Sequence, residues 1–218
     1  MKYIECHDYM NKDAIIYTYL LSHFMCRFKK INIRESILLD QKHVLLIGNG
    51  TLMEESEEKK GIVRCCFSNS FQFSTESPMV LKALEATEVC LLKADQVFKK
   101  LEEEKILSNF FLQIAEGTEK NLKRQAILGE GNPRNKIVET LNFLLENNMM
   151  DSSKAVFPKW LRINVLAKLA NCSITTTSAT LNELSNKGIL DIKTSPWEIK
   201  GEFSRLTYFE KSPKKLQI

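Results

Sequence analysis

The chain has 218 residues, 44% of them apolar and 27% charged, with a formal net charge of +4. That apolar share suits one large or two small packed cores and excludes intrinsic disorder as the default state. No stretch approaches the roughly 18 consecutive apolar residues of a membrane-spanning helix. The N-terminal segment MKYIECHDYMNKDAIIYTYLLSHF scatters charge through an amphipathic pattern, with no basic region leading into an apolar block, so a cytoplasmic protein with no membrane partner is expected.

Charge is unevenly placed. Residues 1–130 hold 18 Lys+Arg against 19 Asp+Glu, whereas residues 131–218 hold 13 against 8. All of the excess positive charge therefore lies in the C-terminal segment, where a nucleic-acid footprint would sit.

From Cys26 to Leu92 the texture is short apolar runs with polar or Gly punctuation. Residues 28–34 alternate, 44–50 run straight into a turn, and 62–67 and 89–92 are compact apolar runs. Strands of about five residues at near-regular spacing predict an all-β roll or barrel. The charged run Glu54–Lys60 reads as a solvated hairpin tip. The period then changes. Asp95 is placed to cap a helix over Gln96–Glu103, and a longer helix is expected from about Ile106 to Leu128. On the longer one Leu107, Phe110, Phe111, Ile114, Thr118 and Leu122 keep to one stripe at spacings of three and four. Such a stripe packs on its own domain or pairs with a second copy, and its place between two domains favours a homodimer contact. Gly129 to Pro133 is the best domain boundary, followed by a helical pattern over Arg134–Asn147.

Six cysteines (Cys6, Cys26, Cys65, Cys66, Cys90, Cys172) and three widely spaced histidines (His7, His23, His43) form no metal-ligand motif. No metal and no cofactor are expected. The vicinal Cys65 and Cys66 sit in an apolar strand-like run, so core thiols are the expectation over a redox role. No nucleophile motif or phosphate loop accompanies Cys and His43, and no catalytic residue is assigned: the chain does not read as an enzyme.

The informative stretch is Leu161–Leu190. Leu166, Ala167 and Ala170 give a small-residue helix face, Asn171-Cys172-Ser173 a tight turn, and the Ser173 hydroxyl a cap for the next helix. Thr177, Leu181 and Leu184 point inward from that helix, and Gly188 stands at its C-terminal stop. Two short helices joined by a three-to-four-residue turn form a helix-turn-helix. Ile189–Lys193, a turn at Ser195-Pro196 and Trp197–Lys200 then read as a β-hairpin wing.

The order of parts resembles the Crp/Fnr family of transcription regulators over roughly Cys26 to Lys200, most specifically at Leu166-Ala167, Asn171-Cys172-Ser173, Leu181, Leu184 and Gly188-Ile189. The resemblance implies an α+β chain in three parts. Residues 1–105 form a β-roll sensor of the cyclic-nucleotide-binding-like jelly-roll type. Residues 106–130 form a long dimerisation helix and hinge, and 131–218 a winged helix-turn-helix that binds DNA. It implies a homodimer on double-stranded DNA, with RNA polymerase and a small-molecule effector as further partners. Arg162, Ser173, Thr176 and Lys193 match phosphate-contacting positions, and Ile174, Thr175 and Ala179 match positions that read base edges. There the chain departs from the family, whose members place Arg or Glu there. Ile, Thr and Ala offer methyl contacts to thymine and one hydroxyl bond, unless Ser178 and Asn182 take a larger share. The roll departs too, since Phe67–Pro78 holds neither the Arg nor the Gly of a cyclic-nucleotide site. Binding of cyclic nucleotide is therefore not expected, and the cysteine clusters of the oxygen-sensing members are missing. The alternative function is a protein-interaction module with a degenerate helix-turn-helix.

Overall fold

A computed structural model describes residues 15–55, 63–148 and 156–200. The chain divides into two units, Met1–Ala126 and Ile127–Ile218.

In the first unit a short helix α1 (Ile15–His23) precedes eight strands: β1 (Lys29–Ile31), β2 (Ser36–Leu39), β3 (His43–Asn49), β4 (Leu52–Glu55), β5 (Cys65–Cys66), β6 (Ser70–Phe73), β7 (Met79–Ala83) and β8 (Thr87–Lys93). They form two antiparallel four-stranded sheets, ordered β1-β8-β3-β6 and β2-β7-β4-β5. The middle of β3 is buried on both faces, which is why Val44–Ile47 is continuously apolar in the sequence rather than alternating. Leu45 and Ile47 join Leu39, Leu52, Leu81 and Val89 in a core with the second sheet. Val44 and Leu46 turn the other way, to Ile16, Leu20, Val97, Leu101 and Phe110 of the helices.

The sequence missed β2, β4, β6 and β7. Each is four or five residues long; Ser70-Phe71-Gln72-Phe73 of β6 does alternate, but over a span too short to be told from chance. The expected hairpin tip Glu54–Lys60 is corrected at its start: Glu54 and Glu55 belong to β4, paired with β7, and the Glu54 carboxylate meets Arg64. Residues 56–60 lie outside the described residues, as do Ile62, Cys6 and His7. At the turn between β3 and β4, Gly50 has φ +94°, and a Cβ there would lie 2.6 Å from the Thr87 hydroxyl and 2.8 Å from the Thr87 backbone. Only glycine allows that approach.

Two helices follow, α2 (Ala94–Glu103) and α3 (Leu107–Glu130). The expected Asp95 cap is corrected. Lys93 holds the cap position without a side-chain bond, Asp95 lies in the first turn, and the Ala94 N–H is taken by the Lys42 carbonyl at 2.8 Å. A tertiary bond satisfies an end that the sequence assigned to a side chain. Asp95 still favours the positive end of the helix.

The second unit begins within α3 and continues with α4 (Pro133–Asn148), α5 (Ile163–Leu169), α6 (Ile174–Asn186) and the hairpin β9 (Leu190–Asp191) and β10 (Glu198–Ile199). Asn132 accepts from the Asn135 N–H at 2.9 Å and so caps α4, with Pro133 at its first position.

In the first unit Phe110 is the packing centre of the helices on the roll. It stacks on Phe71 at 4.8 Å between ring centres and meets Phe98 at 5.5 Å and Phe73 at 6.0 Å, edge-on. Phe110→Ala is expected to cost about 3–5 kcal/mol, whereas Phe111→Ala, at a side chain 43% exposed, should cost clearly less. Urea unfolding of the two variants, followed by a signal from the roll, checks the difference.

Candidate nucleic-acid interface

Local sequence builds the α5–turn–α6 pair. Arg162 is in extended conformation as the first residue before α5, and α5 closes on Ala170. The turn needs a left-handed residue and uses Asn171, φ 50°, one of the few side chains that tolerate it. The Cys172 N–H then bonds the Ala167 carbonyl at 2.9 Å, and its thiol faces the Ala170 carbonyl at 3.3 Å. Ser173 starts α6: its Oγ accepts from the Thr176 N–H at 3.0 Å and lies 2.7 Å from the Thr176 hydroxyl. Thr177 donates back to the Ser173 carbonyl at 2.9 Å. The hydroxyls of Ser173, Thr176 and Thr177 are thus bonded within the first turn of α6.

Packing sorts the rest of the helix. Thr177, Thr180, Leu181 and Leu184 are buried with Leu166, Ala167, Leu169 and Ala170 of α5 and its end. Ile174, Thr175, Ala179 and Asn182 face solvent, with Ser178 half-buried. α6 closes at Lys187, and Gly188 follows with φ +68°, the left-handed position that glycine fills without strain. The hairpin is anchored by buried Trp197, whose carbonyl accepts from the Phe157 N–H at 2.9 Å. Asp191 pairs with Lys200 and accepts from the Lys193 N–H at 3.0 Å, and the Lys200 bond above all holds its carboxyl below the usual range. That backbone bond leaves the Lys193 side chain exposed.

Of the predicted DNA-contact residues, Ser173 caps α6, Ile174 to Asn182 lie on it, Arg162 stands at the head of α5 and Lys193 after β9. Sequence reasoning missed what Glu183 does. Its carboxylate takes Lys187 at 2.6 Å and Arg134 of α4 at 3.1 Å, and the Lys187 bond, then Arg134, holds it below the usual range. The i,i+4 spacing to Lys187 was visible in the sequence; the Arg134 contact needs the packing of α4 on α6.

The stripe on α3 splits. Leu107 and Ile114 are partly buried against the helix-side core of the roll and Phe110 is fully buried in it. Phe110 has no surface to offer a partner, and its expected place in a dimer contact is corrected: the roll supplies aromatic partners that the sequence did not place beside it. Phe111 and Leu122 remain 43% and 55% exposed. Thr118 is half-buried, with its hydroxyl on the Ile114 carbonyl.

No protein-family profile matches the sequence, and no curated protein matches it. Solved structures do. FixK2 from Bradyrhizobium japonicum superposes with a TM-score of 0.75 at 12% identity, covering 87% of this chain and 100% of that one. A CRP/FNR-family transcriptional regulator from Thermus thermophilus gives 0.63 at 14%, covering 85% and 99%. The chain has the Crp/Fnr fold. The c-di-GMP-responsive global regulator CLP of Xanthomonas campestris shares it, with a TM-score of 0.66 at 17% identity over 87% of this chain and 100% of that one. No described helix is long and apolar enough to cross a membrane. Among the described residues no group of His, Cys, Asp or Glu is arranged to hold a metal ion.

The Crp/Fnr roll of this chain contains a cavity of about 390 Å³, bounded by β5, β6 and the middle of α3. Phe71, Phe73, Met79 and Ile114 give it apolar walls, while Asn69, Gln72, Gln113 and Asn121 supply amides. Its cations among the described residues are Lys120 of α3 and Arg64, which stands just before β5, outside Phe67–Pro78, and pairs with Glu54 at 3.5 Å. Cys65 and Cys66 also line it. Burial pushes the Cys65 thiol up to about 12, against a smaller downward pull from Arg124, and pushes Cys66 up as well. A thiol held that high carries almost no thiolate near neutrality. Both are expected to stay unmodified when the folded protein is treated with iodoacetamide at pH 8, and to react after denaturation. Mass mapping of the alkylated cysteines checks this.

Proposed function

We propose that the chain is a homodimeric, sequence-specific DNA-binding transcription regulator. In it residues 1–105 are a sensor-like roll, 106–130 the dimerising helix and 131–218 the DNA-binding part. The observation that carries this is the capped α5–turn–α6 pair, whose outer helix face is solvent-exposed and lies in the segment that holds the chain's excess positive charge. Arg162, Ser173, Thr176 and Lys193 serve as phosphate contacts, and Ile174, Thr175, Ser178, Ala179 and Asn182 face the bases. The transcription regulators that share the fold support the role.

Dimerisation falls to the outer face of α3. Of the exposed large groups on α3 (Phe111, Leu112, Leu122 and Ile127), Phe111 and Leu122 share one line, with exposed Ala115 and half-buried Thr118 between them at spacings of four, three and four. An apolar stripe of that kind costs less when a second copy covers it. The cavity in the roll is of a size for a small-molecule effector. Cyclic nucleotide suits it poorly: the charge of Arg64 is shared with Glu54, Phe67–Pro78 adds no cation, and the other lining cation, Lys120, comes with the Glu116 carboxylate on the same wall. RNA polymerase is the further partner that such a regulator engages, and the cytoplasm its location.

The second reading is a protein-interaction module, and the 61% exposed Ile174 on a face without charge favours it. Salt separates the two. DNA binding should weaken steeply with salt, and Arg162→Ala and Lys193→Ala should each lower the slope by about 1 in titrations at several salt concentrations. A protein partner retained independently of salt, with no DNA shift, overturns the regulator. The double variant Phe111→Glu, Leu122→Glu should sediment as a monomer with its roll intact and lose DNA affinity. Retention of the dimer would move the interface elsewhere.

A further inference from the structure

Direct readout in the major groove depends on side-chain type. Guanine is bound by Arg or Lys, cytosine donates to Glu or Asp, adenine takes the paired donor and acceptor of Asn or Gln, and thymine offers a methyl group. From Ile174 to Asn182, α6 holds none of the four charged residue types. The nearest carboxylate on the helix, Glu183, is engaged by Lys187 and Arg134. The hydroxyls of Ser173, Thr176 and Thr177 are held within the first turn. What remains on the exposed face is the side chain of Ile174, 61% exposed, with Thr175, Ala179, the Ser178 hydroxyl and the Asn182 amide.

An isoleucine at the first position of a helix gains nothing from water and has no core to enter. The same unit exposes Arg162, Lys168 and Lys193, cations that complement a phosphate backbone. We infer that α6 reads A·T pairs, with Ile174 lying against thymine methyl groups and Asn182 suited to adenine, so that the half-site is A·T-rich where the helix enters the groove. This specificity presupposes the DNA-binding role and adds to it the kind of sequence that is bound.

The test takes the full chain through selection from a random duplex pool. The selected site is then remade with uracil in place of each thymine, which removes the methyl and keeps the pairing. An enriched A·T-rich half-site is expected, with affinity falling about fourfold for each thymine whose methyl meets Ile174. Ile174→Ala should bind thymine and uracil sites equally, and Ile174→Arg should move the selected base toward guanine. Ile174 is exposed, so both variants should fold, which far-ultraviolet circular dichroism verifies. A G·C-rich half-site overturns the inference and leaves the regulator standing. So does an A·T-rich site indifferent to uracil, because groove shape would then be what is read. No binding to any duplex at low salt overturns the DNA-binding role, and the specificity with it.

Discussion

Phe110 determines what α3 does with its two faces. With its ring stacked on Phe71 and set edge-on to Phe73 and Phe98, the helix is fixed against the roll on the side that also carries Leu107 and Ile114. Since 3.6 residues make a turn, Phe111 is then rotated by about 100° and faces outward, with Ala115 and Leu122 along its line. One aromatic side chain thus assigns an inner face to the roll's own core and an outer face to solvent or a second copy. The cavity depends on the same arrangement. Its walls include Phe71 and Phe73 of β6 together with Ile114, Gly117 and Thr118 of α3.

The second unit is organised by a turn rather than by a cluster. Asn171 in the left-handed region reverses the chain, and the hydroxyls of Ser173, Thr176 and Thr177 close the first turn of α6 on itself. Thr177, Leu181 and Leu184 are then committed to the core by helical period, which leaves Ile174, Thr175, Ala179 and Asn182 to the outside. That face is short of charge because Glu183, the one acidic residue of α6, lies at the edge of the buried side and pairs there with Arg134 and Lys187. The core packing and the proposed recognition face therefore lie on different sides of the same thirteen residues. Changes at exposed positions should alter what is bound without altering the fold.

The thiols follow their surroundings. Cys66 and Cys90 pack in the two cores of the roll, and Cys65 is held neutral by burial despite Arg124 nearby. Cysteine serves there as a small apolar side chain.

The sequence determined the parts whose signal is local. The helix-turn-helix was legible because a cap, a left-handed turn residue, a small-residue face and a glycine stop all fall within about thirty neighbouring residues. The strong strands β3 and β8 and the long helix were legible from runs and period. Strands β2, β4, β6 and β7 were not, because an alternation or apolar run of three or four residues is too short to mark a strand without its neighbours. Only the tertiary structure decided which side of α3 meets the roll, that Ala94 borrows a bond from Lys42 in place of an Asp95 cap, that Arg64 reaches the cavity, and that Arg134 ties Glu183. Each of these joins residues far apart in the chain, and helical or strand period gives a residue its face but does not name what lies opposite.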